Sequence, residues 1–222
     1  LHDEPFYGKD PTLCAYACRG EAYKGTTWFY RTATVYVVHH QIPCTLGIVF
    51  VPPEYSIQEV LEALLHQIQS LELRIRGLYL DKGFCVQPVI EFLKGKPYEV
   101  IIACPIRGRK GGTRTLCRGR KSYFTKYTFY AGKPEAYTAP LAVVRTYEHR
   151  HGKRHAVWLL YVTLNGATEN PQTIRARYRS RFGIEASYRC MRQTHAMTTS
   201  RNPALRFFLL GVAFLILNLW CV

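Results

Sequence analysis

The stretch from residue 26 to residue 104 alternates strand-like with helix-like segments, and this order constrains the fold more than any other feature. Residues 26–40 are rich in aromatic and β-branched side chains, which favours a strand. A second strand is expected over 45–51, ended by Pro52 and Pro53. Val60, Leu64, Ile68 and Leu71 then recur at helical spacing, and Ser56 with Glu59 three residues on forms a capping-box pattern at the helix start. A short strand over 76–80 runs into Asp81, Lys82, Gly83 and Phe84, followed by a helix over 86–94, a Gly95-Lys96-Pro97 turn and a buried-looking strand over 98–104. The order β-β-α-β-α-β predicts a mixed α/β fold with crossover helices. At 222 residues and 48% hydrophobic content, one domain with a sizeable core is expected over 1–222.

The pattern then changes. Residues 107–126 hold eight Lys or Arg residues and no acidic ones: Arg107, Arg109, Lys110, Arg114, Arg118, Arg120, Lys121 and Lys126. Two alternating segments follow, 137–147 and 156–164, separated by the basic sequence EHRHGKRH. Together they predict a β-rich insertion with cationic loops over about 105–168. The whole chain carries a formal charge of +15, which favours a polyanionic partner. The basic segment either tracks a DNA backbone, with Tyr123, Phe124 and Tyr127 placed for stacking, or is a flexible solvated loop.

Two helices close the sequence, over 171–193 and 203–221. The second is apolar on every side. It reads as a membrane span or as a helix packed inside an α/β domain; Arg206 and Asn218 shorten the clean apolar stretch and favour the packed helix. No signal peptide pattern is visible behind Leu1. The eight cysteines are scattered, and Cys14 and Cys18, the only close pair, have no His or Cys partner at zinc-site spacing, so reduced thiols are expected.

The 171–193 helix carries the chemistry. Tyr178, Arg181, Glu185, Tyr188 and Arg192 are spaced 3, 4, 3 and 4 apart, which puts them on one helical face. On a generic helix such a face is solvated and salt-bridged. The order of residue types says more: Tyr-x2-Arg-x3-Glu-x6-Arg resembles the signature of the insertion-sequence 4 group of DDE transposases, with Arg192 where Lys is commoner. The segment from Leu78 to Phe84 resembles the strand-end aspartate motif of that group. Asn218-Leu219-Trp220 resembles its C-terminal helix, as the aromatic and basic stretch at 123–129 resembles its middle part.

That resemblance implies a ribonuclease-H-like mixed sheet with flanking helices, the β-rich insertion lying before the glutamate-bearing helix. It implies a transposase that cleaves DNA at the ends of an insertion sequence and joins a 3′-hydroxyl to target DNA. Two divalent ions would serve the chemistry, Mg2+ by preference with Mn2+ as substitute, held by carboxylates. Asp81 and Glu185 are the expected ligands, although an aspartate before Lys-Gly is also a common turn residue. Tyr178, Arg181 and Arg192 would hold phosphates beside them. For the family's first carboxylate, Asp3 is the nearest substitute among three aspartates, but its spacing to Pro5-Phe6-Tyr7-Gly8 is short for the family. The expected first strand, and any end-recognition domain, would then precede Leu1. The implied partners are double-stranded DNA and a second copy in the DNA complex, without a membrane, in the cytoplasm and on the nucleoid. Two other readings compete: a catalytically inactive DNA-binding remnant, and a basic protein anchored in a membrane by its last helix.

Overall fold

The computed structural model describes residues 1–39, 42–109, 111–166 and 170–221. In chain order these form β1 (His2–Pro5), α1 (Pro11–Cys14), β2 (Cys18–Tyr23), β3 (Thr26–His39), β4 (Ile42–Val51), α2 (Ile57–Gln69), β5 (Gly77–Leu80), α3 (Gln87–Leu93), β6 (Glu99–Cys104), β7 (Tyr123–Phe129), β8 (Tyr137–Arg150), β9 (Lys153–Leu164), α4 (Pro171–Arg179), α5 (Gly183–Thr194) and α6 (Pro203–Cys221). Short 3-10 turns occupy Lys82–Phe84, Gly112–Leu116 and Ser180–Phe182. The result is a mixed α/β architecture with two sheets. The chain divides into two compact units, one of residues 1–73 and 182–222, the other of residues 74–181.

The first unit is built on β3, which pairs antiparallel with β1, β2 and β4. Its aromatic and β-branched residues suit a strand that packs on both faces. The β2–β3 connection is a two-residue turn in which Lys24 and Gly25 both have positive φ, the geometry that matches strand twist. α2 begins with the expected capping box: Ser56 Oγ accepts from the Glu59 N–H at 3.2 Å, and Glu59 Oε2 accepts from the Ser56 N–H at 2.7 Å. Val60 and Leu64 of α2 pack with Ala33 and Val51 of the sheet. Leu71, expected on the same stripe, lies past the helix end and is exposed.

α6 packs through Leu210, Ala213 and Phe214 against Met191 of α5. Asn218 fixes it to β4, accepting from the Thr45 N–H at 2.9 Å and donating to the Thr45 carbonyl at 2.8 Å. Arg206 reaches Glu4 of β1 at 2.6 Å. The expectation of a buried helix is therefore corrected. One face is packed, while Phe208, Leu215, Leu219 and Trp220 are exposed on the rest, at 63, 58, 71 and 83%. By length and composition α6 is long and apolar enough to cross a membrane. Val222 lies outside the described residues, as does His40, the expected end of the first strand.

The second unit is a five-stranded sheet in the order β5-β6-β9-β8-β7. β5 and β6 are parallel and the remaining pairs antiparallel. Val100, Ile101 and Ile102 of β6 are fully buried, as are Val89, Ile90 and Leu93 of α3. Ile101, Ala103, Ala142, Val144, Tyr161, Ile174 and Tyr178 form one core cluster, which brings α4 onto the sheet. Asn165 closes the end of α3, donating to the Leu93 carbonyl at 2.7 Å and accepting from the Gly95 N–H at 2.9 Å.

The β-rich region expected over about 105–168 holds β7, β8 and β9; β9 hydrogen-bonds to β6, so these strands extend the sheet that β5 and β6 begin. Residues 167 and 168, at the end of that region, lie outside the described residues. Two expectations change here. The basic sequence between β8 and β9 is not a loop, because pairing continues to Arg150 and Lys153. Only His151 and Gly152 turn, with φ of 50° and 72°, a conformation that glycine adopts without steric cost. Finally, the helix expected over 171–193 is interrupted. α4 ends at Arg179, a 3-10 turn covers Ser180–Phe182, and α5 starts at Gly183. The Ser180 hydroxyl donates to the Arg177 carbonyl at 2.7 Å, and glycine is a poor helix former, so the break falls where local propensity is weakest.

Candidate active site

In the second unit, Asp81 follows β5 at the edge of the sheet. Its Oδ1 accepts from the Lys82 N–H at 2.7 Å, making it the cap of the 3-10 turn Lys82–Phe84. Phe84 is buried and anchors that turn, while Asp81 itself is exposed. A carboxylate at the end of a parallel strand pair sits where α/β sheets commonly place ligands. The turn reading and the ligand reading of Asp81 are thus compatible, since one oxygen serves the cap.

Tyr178 lies at the same place. Its ring packs on Tyr161 with centroids 4.9 Å apart, and the Arg181 guanidinium stands 5.3 Å from the Tyr178 ring centre. Burial pushes the Tyr178 phenol up to about 12; the Asp81 charge adds to the rise, while Arg181, hydrogen-bonded to the phenol, opposes it. Asp81, Tyr178 and Arg181 therefore form one electrostatic group within this unit.

The first unit carries Glu185 and Arg192. Both are on α5 and both are exposed. Glu185 is in the first turn, where the helix dipole favours an anion. Gly183 opens the helix against the Tyr36 ring, and a Cβ there would meet the Tyr36 hydroxyl. Ser187 and Met191 point inward, so α5 presents Glu185 and Arg192 outward by ordinary amphipathic packing. The expected face of five residues is corrected accordingly: Tyr178 precedes the break, Arg181 lies within its 3-10 turn, and Glu185, Tyr188 and Arg192 follow it.

Tyr188 faces inward on α5. Its hydroxyl shares a hydrogen bond of 2.5 Å with the Thr34 hydroxyl, and its ring stacks on His2 with centroids 5.3 Å apart. Burial, then the Arg192 cation, holds the His2 imidazole down to about 4, against an opposite pull from Asp3. The sequence offers His2 as a neighbour of the expected metal ligands; the fold stacks it on Tyr188 and puts it within reach of the Arg192 charge.

Asp3 is in β1, opposite Arg31 in the antiparallel register. Arg31 Nε and Nη2 donate to its two oxygens at 2.7 and 2.9 Å. Both oxygens are thus engaged in a bidentate pair. Neither unit, among its described residues, gathers three or more His, Cys, Asp or Glu side chains into a group for a metal ion.

Of the basic residues, Arg107, Arg109, Arg114, Arg118, Arg120 and Lys121 are exposed, and Lys110 lies outside the described residues. The segment is built as a folded turn. Thr113, 4% exposed, donates to the Pro105 carbonyl at 2.7 Å and accepts from the Arg107 N–H at 2.8 Å. Arg114 Nε donates to the Gly108 carbonyl at 2.6 Å. The expected stacking set shrinks, because β7 alternates: Phe124 is exposed, whereas the Tyr123 hydroxyl donates to the Leu116 carbonyl and Tyr127 packs on Phe129.

Residues 13–219 match the family described as Transposase DDE domain. No curated protein matches the chain.

Proposed function

Since this chain belongs to the Transposase DDE domain family, we propose that it is a transposase of the insertion-sequence 4 group acting by metal-dependent DNA cleavage and strand transfer in cut-and-paste transposition. The observation that carries the reading is the exposed Asp81 at the end of β5, beside the Tyr178–Arg181 pair. Glu185, exposed in the first turn of α5, supplies the second carboxylate. A ribonuclease-H-like arrangement is the fold in which these two would serve one reaction.

Both groups offer hard oxygen donors on solvent-facing element ends, which suits Mg2+ or Mn2+ and tolerates retained waters. Asp81 and Glu185 would hold the ions; Asp3 is left out, because Arg31 already engages both its oxygens. The ions would supply an acidified water and neutralise the leaving 3′-oxygen. Arg181 and Arg192 bind the phosphates flanking the scissile bond, and Tyr178 positions Arg181. The exposed Arg107, Arg109, Arg114, Arg118, Arg120 and Lys121, with Lys110, track the backbone of double-stranded DNA, and the chain works as a homodimer on paired ends, on the nucleoid in the cytoplasm. α6 serves unit packing in this reading, tied by Arg206 to Glu4 and by Asn218 to Thr45.

The test is Mg2+- or Mn2+-dependent nicking of DNA. Asp81→Asn and Glu185→Gln should each lower the rate by about a hundredfold or more, since metal stabilisation is worth several kcal/mol. Nicking by both variants at the wild-type rate sinks the catalytic assignment. A wild-type chain that binds DNA without nicking it supports the inactive remnant instead.

A further inference from the structure

Cys85 and Cys104 arrive at the same end of the second sheet by different routes. β5 and β6 run parallel, with Leu80 opposite Ile102. Cys104 is the last residue of β6, and Cys85 immediately follows the 3-10 turn Lys82–Phe84, whose buried Phe84 seats it against the sheet. The two thiols act on each other, the Cys104 Sγ donates to the Pro105 carbonyl at 3.7 Å, and the phenol of buried Tyr137 feels both thiols. Cys85 is half-buried and Cys104 buried, and both are free thiols. The turn that ends in Cys85 is the one that Asp81 caps.

We propose that Cys85 and Cys104 are a redox-modification site that closes to a disulfide by exchange with a low-molecular-weight disulfide, thereby constraining the turn that carries Asp81. The division of labour follows from the surroundings. The neighbouring Cys104 thiol, and the Arg107 cation more weakly, hold the Cys85 thiol below its ordinary range, although burial opposes them. The Cys85 thiol and burial push Cys104 up. Cys85 is thus the attacking thiolate, since the thiolate is the nucleophile, and Cys104 the resolving thiol. Cys85 attacks one sulfur of the external disulfide, whose S–S bond breaks and releases one thiolate. Cys104 loses its proton to solvent and attacks the Cys85 sulfur, releasing the second. Two protein thiols lose two electrons and two protons, and the external disulfide takes up both.

The effect on Asp81 rests on the catalytic reading above; formation of the bond does not. The experiment treats the full chain with glutathione disulfide, alkylates the remaining thiols and maps peptides without reduction. The expected result is a peptide pair joined at Cys85 and Cys104, reversed by dithiothreitol, with Cys117 still alkylated. In the oxidised chain, Mg2+-dependent nicking falls by at least about fivefold, the lower end of ordinary coupling between sites. Cys85→Ser, with Cys85→Ala as a second variant, nicks at the reduced wild-type rate and ignores the oxidant. A Cys85–Cys117 link, or a stable glutathione adduct on Cys85 with Cys104 alkylated, overturns the pair. A mapped disulfide with unchanged nicking overturns the control of Asp81. If the reduced chain does not nick at all, the catalytic reading fails, and the peptide map alone decides the pair.

Discussion

Tyr178 and Tyr188 belong to one short run of sequence, yet they are held in unlike ways. Tyr178 sits in the core of the second unit against Tyr161 and Ile174, with its phenol hydrogen-bonded to Arg181 and within the field of the Asp81 charge. Tyr188 lies between His2 and Phe214 in the first unit, with its phenol bonded to Thr34. Burial raises both phenols, but a guanidinium and a carboxylate also act on the first, and a neutral hydroxyl on the second. A tyrosine placed among charges is equipped for a site. One bonded to a threonine under a helix is equipped for packing. The same residue type in the same motif thus divides its labour between chemistry and architecture.

The largest test of this contrast removes the core under each tyrosine. Ile174→Ala and Met191→Ala each empty a fully buried position and should cost about 2–5 kcal/mol in urea unfolding. Hydrogen exchange should quicken in β8 and β9 for the first variant, and in α6 and β4 for the second. Equal acceleration in both sets by either variant would erase the distinction between the two surroundings.

A pH series probes the Tyr188 side alone. His2 is held at about 4 in the fold against an ordinary 6.5, chiefly by burial. The unfolded chain therefore binds the extra proton first. Stability from this group is complete above pH 6.5 and is lost as pH falls toward 4. His2→Phe, which keeps a ring on Tyr188, should flatten the unfolding midpoint across that window; an unchanged slope would remove His2 from the account. The smallest effect separates the hydroxyls themselves. Tyr188→Phe should cost about 1 kcal/mol and leave nicking unchanged. Tyr178→Phe should cost a similar amount and slow nicking as well. Identical behaviour of the two in a nicking assay would contradict the assignment of Tyr178 to the site.

What the sequence made legible follows the range of each interaction. The capping box at Ser56 and Glu59, the buried strand β6 and the strand-end Asp81 rest on neighbours within a few positions, and the periodicity of the chain displays them. The break after Arg179 was hidden, because helical spacing carries straight through a single 3-10 turn. The pairing of β9 with β6 depends on residues far apart in the chain, as does the seat of His2 against Tyr188. Asp3 looked like a spare carboxylate until the β1–β3 register set Arg31 opposite it. The exposed face of α6 was equally invisible, since an all-apolar helix gives no sign of which side is packed.

The division of the chain has a consequence for the order in which it is made. The second unit is one continuous stretch, residues 74–181, whereas the first needs α5 and α6 to join strands synthesised far earlier. The Arg206–Glu4 pair and the Asn218 clamp on Thr45 form only when the last helix has left the ribosome. During synthesis the second sheet becomes complete while β3 and β4 still wait for their cover. Ribosome-arrested chains cut before α5, and joined to a linker long enough to clear the exit tunnel, should accordingly protect β6 and β9 from protease and leave β4 open to it. Equal protection of both would show that the early strands find another cover first.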